Sequence, residues 1–262
     1  MIFSRTFRYL NYSILSHHRH GHGIHSPFVF DVVSKVFRNK TDPGVVNRAE
    51  MIRKKMISDK RSIVINDLGA GSRKFKSNTR KVSDIARYSP VSPKYGRLLS
   101  AMAAAFVAPM IIELGTSLGI STAYMAGSCF PTTVYTIEGC NTTAAIANEN
   151  FAEAGLSNIK ILEGSFEEII PSFAKNPDTP GLVFIDGNHR KDPVIRYFNE
   201  IAAISGRDTV VIVDDINYSK EMAEAWNELK KHKRVSVSID IFRMGILFFR
   251  EGISHNEYVI RY

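Results

Sequence analysis

Residues 111–122 read IIELGTSLGIST. An apolar run ends in an acid, two glycines follow four positions apart, and the residues beyond them take helical spacing. A buried strand that passes through a tight turn into a helix has this composition. A rival lies upstream: VINDLGAGS at 64–72 has the same acid-Leu-Gly opening. Each is a candidate for the loop that holds a nucleotide-like cofactor, and the choice between them decides the fold.

A cofactor loop needs a strand before it, a helix after it and a second strand whose end carries an acid for the ribose hydroxyls. After DLGAGS come Arg73, Lys74, Lys76, Arg80 and Lys81 without apolar periodicity, and no acid stands at a strand end. After ELGTSLGIS a helix begins at once, and the next apolar run, TVYTIE, ends in Glu138, 25 residues beyond Glu113. That spacing puts Glu138 at the tip of the neighbouring strand.

Outward from this loop the chain alternates. KYGRLLSAMAAAFV is helical and PMIIEL a strand, so the apolar stretch Leu98–Ile112 is a buried helix and strand; Pro109 interrupts it and it is too short to span a bilayer. ISTAYMAGSCF is a helix, TVYTIE a strand, and NTTAAIANENFAEAG a helix capped by Asn141 and ended by Gly155. NIKILEG, GLVFID and DTVVIVDD are strands; SFEEIIPSFAK, DPVIRYFNEIAAIS and SKEMAEAWNELKKHK are helices. RVSVSIDIF and GILFFRE follow with only Arg243 and Met244 between them, which predicts an antiparallel hairpin, and EYVIRY closes the chain. The expected fold is α/β: a doubly wound, mainly parallel, seven-stranded sheet with a C-terminal antiparallel hairpin. Residues 1–90 form a basic, mostly helical extension and residues 91–262 the main domain, with SPVSP marking the boundary. Within the extension, SPFVFDVVSKVFRN and VVNRAEMIRKKMIS are helical, RSIVINDL a short strand and SRKFKSNTRK a solvated loop.

The net charge of +8 is uneven. Residues 1–100 carry 20 Lys and Arg against 6 Asp and Glu; the remaining residues carry 14 against 20. Such a front suits an anionic partner, RNA among them, or is a solvated surface. The charges are scattered with few aromatics among them, which favours the solvated surface. The N-terminus has no continuous apolar core and no small-residue cleavage site, so no secretory signal is expected. Cys129 and Cys140 have no metal-type spacing and are expected as reduced thiols in a cytoplasmic protein.

Gly115 and Gly119 give G-x-x-x-G rather than the G-x-G-x-x-G that seats a pyrophosphate. Glu113, before the first glycine, would repel a pyrophosphate but suits an ammonium or sulfonium group. That favours S-adenosylmethionine over NAD and argues against a dehydrogenase.

With these motifs the sequence resembles the class I S-adenosylmethionine-dependent methyltransferases, and within them the catechol O-methyltransferase-like group, over about residues 90–262. ELGTSLGIST matches the first strand and loop, which implies cofactor contacts from Glu113, Gly115, Thr116, Ser117, Gly119 and Ser121. YTIEGC supplies the ribose acid Glu138. LEGSFEEIIP fits the motif beside the adenine, through Gly164, Ser165 and Phe166. LVFIDGNH places Asp186 at the end of the fourth strand, and VIVDDIN an acid pair at the end of the fifth. SPKYGRLLSAM is similar to the lead-in helix beside the methionine moiety.

Methyl transfer is an in-line displacement that needs aligned reactants and, for a hydroxyl acceptor, somewhere for its proton to go. Asp186, Asp214 and Asp215 fall at the carboxyl ends of adjacent strands, where open α/β sheets bind ligands. Either they hold Mg²⁺ or a similar divalent cation, or the site has no metal and Asp215 caps the next helix. The resembled family has Asp-Asn where this chain has Asp214-Asp215, with Asn217 two places later. His189, three residues after Asp186, sits where that family often carries a lysine base; histidine titrates near neutrality and suits the role.

His17, His18, His20, His22 and His25 crowd nine residues. The density suggests metal, but the spacing fits no zinc pattern, and a solvated, pH-sensitive loop is the commoner outcome. Residues 20–40 are expected either to cap the substrate side of the cleft or to pack as a helix on the sheet. The functional expectation is O-methylation of a small hydroxylated molecule. An RNA methyltransferase and a non-catalytic nucleoside-binding module are the alternatives. No membrane association is expected, and a homodimer is compatible with the sequence.

Overall fold

The structure, a computed structural model, describes residues 2–16, 23–66, 77–107 and 109–262. The DLGAGS turn, residues 72–76 of the basic stretch and every histidine of the crowded run except His25 lie outside the described residues. The N-terminal part comprises α1 (Ile2–Leu15), α2 (Pro27–Asp31), which continues as a π-helical turn over Val32–Val36, α3 (Pro43–Ser58), β1 (Ser62–Val64), β2 (Thr79–Lys81) and α4 (Val82–Tyr88). Then follow α5 (Pro93–Ala105), β3 (Met110–Leu114), α6 (Ile120–Cys129), β4 (Thr133–Glu138), α7 (Asn141–Glu153), β5 (Ile159–Glu163) and α8 (Phe166–Ile169). The chain ends with β6 (Leu182–Ile185), α9 (Lys191–Ile204), β7 (Val210–Val213), α10 (Lys220–Leu229), β8 (Val237–Asp240), β9 (Gly245–Phe248) and β10 (Asn256–Val259).

Strands β3, β6 and β7 are buried at every residue, the pattern of parallel strands covered on both faces. The main sheet has the order β10-β8-β9-β7-β6-β3-β4-β5. Strands β3 to β7 pair in parallel, and β9 pairs antiparallel to both β7 and β8. The predicted doubly wound sheet and C-terminal hairpin are therefore present. Among the described residues the main sheet has eight strands rather than seven, because the closing run pairs in parallel with β8 as an added edge. The hairpin loop takes in Ile241–Met244, wider than the two residues expected, because Phe242 adopts φ +70° and the Asp240–Gly245 pair ends the ladder.

Side chains alternate between the two faces of each strand. On one face Ile111, Val134, Phe184, Ile212 and Phe248 pack against α5, α6 and the α2 segment. On the other, Ile112, Leu114, Val183, Val211 and Leu247 pack against α9 and α10. A third cluster joins α3 and α4 to the outer side of α6 and to α7.

Four local expectations are corrected. Asn141 is the first helical residue of α7, and Cys140 occupies the cap position without a side-chain bond. SFEEIIPSFAK is one turn of α-helix followed by a 3₁₀ stretch over Ile170–Lys175, because Pro171 lacks the N–H that would extend the helix. Thr79–Lys81, taken as loop, pairs antiparallel with β1, so RSIVINDL lies in a two-stranded ribbon apart from the main sheet. Residues 27–36 do not cap the cleft. Val29, Val32 and Val33 are buried on the sheet, and Phe28 meets Phe248 edge-on at 5.0 Å.

Close helix packing ties the N-terminal part to the main sheet. The Tyr124 ring of α6 lies against Gly96 of α5, where an added Cβ would come within 2.4 Å of the ring. Tyr124 cannot swing aside cheaply, because its hydroxyl donates to Glu50 Oε1 of α3 at 2.8 Å. Alanine stabilises an ordinary helix interior relative to glycine, but Gly96→Ala is expected to destabilise the protein by about 1–3 kcal/mol through overpacking. Urea unfolding of the variant measures this, and a neutral or stabilising result would show that the ring relaxes.

Candidate functional site

Parallel strands end on the same side, and the chain reverses its winding between β3 and β6. Ligands of open α/β sheets bind at such a switch point. A cleft of about 630 Å³ opens there. Gly115, Thr116, Ser117, Ser121, Glu138, Gly164, Ser165, Phe166, Asp186 and His189 all line it, as does Asp215.

Gly115 has φ +106°, and a Cβ there would strike the Asp186 carbonyl at 2.4 Å, so the turn at the end of β3 requires glycine. Ser117 follows with φ +49°, and its N–H donates to Glu138 Oε2 at 2.7 Å. The other Glu138 oxygen accepts from Cys140 N–H at 3.0 Å. Two backbone donors therefore fix this carboxylate on the cleft wall. A carboxylate oxygen has two lone-pair sites, so each keeps capacity for a further donor.

Phe166 opens α8, where Ser165 and Glu168 form a reciprocal capping box. Its ring packs edge-on against Tyr197 at 5.3 Å and lies over Gly187, where a Cβ would meet it at 2.5 Å. Tyr197 is held in turn by Asn188 Nδ2, which donates to it at 2.9 Å, and by donating to Glu167 at 2.6 Å.

Glu113 does not face the cleft, which corrects its expected role. It is wholly buried, and its oxygens accept from Ser121 Oγ at 2.6 Å, Thr122 Oγ1 at 2.5 Å and Thr136 Oγ1 at 2.7 Å. Burial pushes its carboxyl up to about 7, and the three hydroxyl donors pull against that shift. Gly119 is likewise absent from the cleft wall. It starts α6 with φ +82°, and an added Cβ would meet Phe151 at 2.4 Å, so it serves backbone geometry and packing.

The three acids at the ends of β6 and β7 do not form an open ligand set, contrary to the metal option for Asp186, Asp214 and Asp215. Among the described residues no group of three His, Cys, Asp or Glu side chains comes together to hold a metal ion. Asp214 is buried and gripped by Arg243, whose Nε reaches Oδ1 at 3.0 Å and whose Nη2 reaches Oδ2 at 2.8 Å. Arg243 Nε also lies 3.9 Å from Asp215 Oδ1. Burial opposes the charge on Arg243, but Asp214, then Asp215 and Asp186, outweigh it and hold the guanidinium above its ordinary value. Burial, and then the Asp214 and Asp215 carboxylates, raise the Asp186 carboxyl well above the usual range. His189 Nε2 stands 3.7 Å from Asp186 Oδ1. Sequence reasoning missed Arg243, which looked like a plain turn residue. It also missed the wall supplied by Ile65, Asn66, Arg80, Ile85 and Tyr88, whose position depends on how the N-terminal part packs.

Residues 112–216 match the family described as "Methyltransferase domain". A catechol O-methyltransferase of Niastella koreensis is 33% identical over 130 residues, 48% of this chain and 58% of the relative. One from Mycobacterium tuberculosis is 30% identical over 128 residues, 48% of this chain and 56% of the relative. The chain thus aligns with rather more than half the length of these curated relatives. Among solved structures, the O-methyltransferase TomG of Streptomyces achromogenes, in complex with SAM, has a TM-score of 0.56 at 20% identity, covering 85% of this chain and 96% of that one. An O-methyltransferase of Bacillus cereus, in complex with SAH, has a TM-score of 0.55 at 20% identity, covering 84% and 97%. The fold is that of these solved O-methyltransferases. Within the matched region the chain is similar to these catechol O-methyltransferases.

Glu113 carries a stability signature. Its carboxyl titrates near 7 when folded, above the ordinary 4.5, so between those values the folded state holds the extra proton. Its contribution is complete below pH 4.5 and is lost as pH rises through 7, amounting to roughly 3 kcal/mol. Glu113→Gln should lose less stability than the wild type between pH 5 and pH 7.5. Urea unfolding at both values checks this, and an unchanged pH response would show that Glu113 is ionised throughout.

Proposed function

We propose that the chain transfers a methyl group from S-adenosylmethionine to a hydroxyl oxygen of a small molecule. The observation that carries this reading is Glu138, fixed by two N–H groups on the wall of the cleft at the switch point, where it can accept hydrogen bonds from ribose hydroxyls. The rest of the wall fits the same ligand. Gly115 and Gly187 line it at positions that admit no Cβ, because one would strike the Asp186 carbonyl and the Phe166 ring, and Phe166 offers an aromatic surface to an adenine. When bound, S-adenosylmethionine supplies a methyl carbon activated by its sulfonium sulfur. His189 receives the acceptor's hydroxyl proton, with the Asp186 carboxyl 3.7 Å from its Nε2.

A small acceptor is favoured over RNA because the cleft, about 630 Å³, is in the size range of small-ligand sites. We assign residues 91–262 to the methyltransferase domain and residues 1–90 to an extension that walls its cleft through Ile65, Asn66, Arg80, Ile85 and Tyr88. Among the described residues no helix is long and apolar enough to cross a membrane. A cytoplasmic location is supported by two free, buried cysteines.

Two variants test the assignment. Glu138→Ala is expected to weaken S-adenosylhomocysteine binding by about ten- to a hundredfold, the worth of hydrogen bonds to a charged group. His189→Gln is expected to leave that affinity within about twofold and to lower kcat by about 10²–10⁴ with a hydroxylated acceptor. Calorimetry and a turnover assay read the two separately. Unchanged affinity in the first variant would remove the cofactor assignment, and unchanged turnover in the second would remove His189 as the base.

A further inference from the structure

The ends of β6 and β7 are where the resembled enzymes lead one to expect a divalent cation, and this chain puts a guanidinium there instead. We propose that Arg243, delivered by the β8–β9 loop, is a built-in cation that takes the place of a divalent ion, so that the protein binds no such ion at Asp186, Asp214 and Asp215. The inference rests on the methyltransferase reading for the reaction served, but not for the ion itself.

Three observations carry it. First, the Arg243–Asp214 contact is a two-point fork that occupies both carboxylate oxygens, with the Asp214 side chain fully buried and that of Arg243 only 23% exposed. Mg²⁺ demands a near-octahedral shell of oxygen ligands, and here its central carboxylate is already committed to a like-charged group. Second, the guanidinium is not on a loose arm. The Arg243 carbonyl accepts from Ile216 N–H at 3.1 Å, just past Asp215, and Asn217 Nδ2 donates to the Phe242 carbonyl at 2.9 Å. Phe242 N–H donates to Asp240 Oδ1 at 2.7 Å, and its ring packs on Tyr9 at 5.0 Å and Tyr12 at 5.3 Å. Third, the guanidinium carbon lies 5.4 Å from the centre of the Tyr95 ring, so an aromatic face covers the cation away from its acids. Expelling the Arg243 side chain to admit a metal ion would break the fork to Asp214 and the contact with the Tyr95 ring.

Asp215 lines the cleft, and Arg243 stands 3.9 Å from its carboxylate. Arg243 is therefore a positioning residue. It sets the charge and orientation of the acid pair, and it need not touch the acceptor.

The test is a Mn²⁺ titration of the full chain, followed by electron paramagnetic resonance of the free ion, with S-adenosylhomocysteine calorimetry alongside. The wild type is expected to leave Mn²⁺ free up to about 1 mM, a threshold weaker than that of dedicated divalent sites. Its affinity for S-adenosylhomocysteine should be the same in Mg²⁺ and in EDTA. Arg243→Met removes the charge and keeps the apolar stem. It should bind one Mn²⁺ at least about tenfold more tightly than the wild type, and the gain should vanish in the Arg243→Met, Asp214→Asn double variant. A wild-type protein that binds one Mn²⁺ well below 1 mM, and loses it in Asp214→Asn, overturns the proposal. So does an Arg243→Met protein that still binds S-adenosylhomocysteine yet gains no ion. If that variant does not fold, the wild-type and Asp214→Asn titrations decide alone. Failure of the wild type to bind S-adenosylhomocysteine would sink the methyltransferase reading and leave the manganese result standing.

Discussion

A carboxyl group without access to water sits at the heart of this fold. Glu113 gathers hydroxyls from Ser121 and Thr122 on α6 and Thr136 on β4. Burying such a group without partners would cost several kcal/mol, so these hydroxyls are a condition of the arrangement. They tie the end of the first central strand to the helix after the turn and to the neighbouring strand. Thr136 extends the chain to Thr116 at 2.6 Å, inside the turn itself. The cleft wall from Gly115 to Ser117 is shaped by this buried network, and Glu138 meets Ser117 from the other side.

At the next strand boundary the problem of buried charge recurs and is solved differently. Asp186, Asp214 and Asp215 crowd the ends of β6 and β7, and hydroxyl donors would not offset that much negative charge. The antiparallel hairpin supplies a guanidinium. The two solutions divide the labour along the sheet edge. Neutral donors hold the acid at the end of β3, and a fixed cation holds those at the ends of β6 and β7. Reversing β9 is what makes the second solution available, because only a strand running the other way brings its preceding loop to the carboxyl ends of β6 and β7.

The sheet was legible in the sequence because its signals are local. Apolar runs of strand length alternate with helical spacing, and the ends of β3 to β7 carry an acid or a glycine. Gly115, Glu138 and Asp186 were legible on the cleft for the same reason, since they stand at strand ends beside the switch point, whereas Ser117, Phe166 and His189 were placed there by the family resemblance. Glu113 was misread because spacing along the chain places a residue at a strand end without saying which face its side chain takes. Arg243 was invisible because its partner lies 29 residues away across an antiparallel pair. The N-terminal wall depends on α3 and α4 packing over α6 and α7, a contact between elements that no periodicity encodes.

The hairpin's delivery of Arg243 also has a consequence for the nascent chain. Asp186, Asp214 and Asp215 leave the ribosome before their counter-charge does. At usual elongation rates the interval between residues 215 and 243 is roughly one to six seconds, long compared with helix or hairpin formation. Through that interval the strands carrying the acids can pair, but their acidic ends have no reason to desolvate. Final closure of the rim at the strand ends therefore belongs to the last strands made, and the emerging polypeptide keeps its cleft wet until β9 docks.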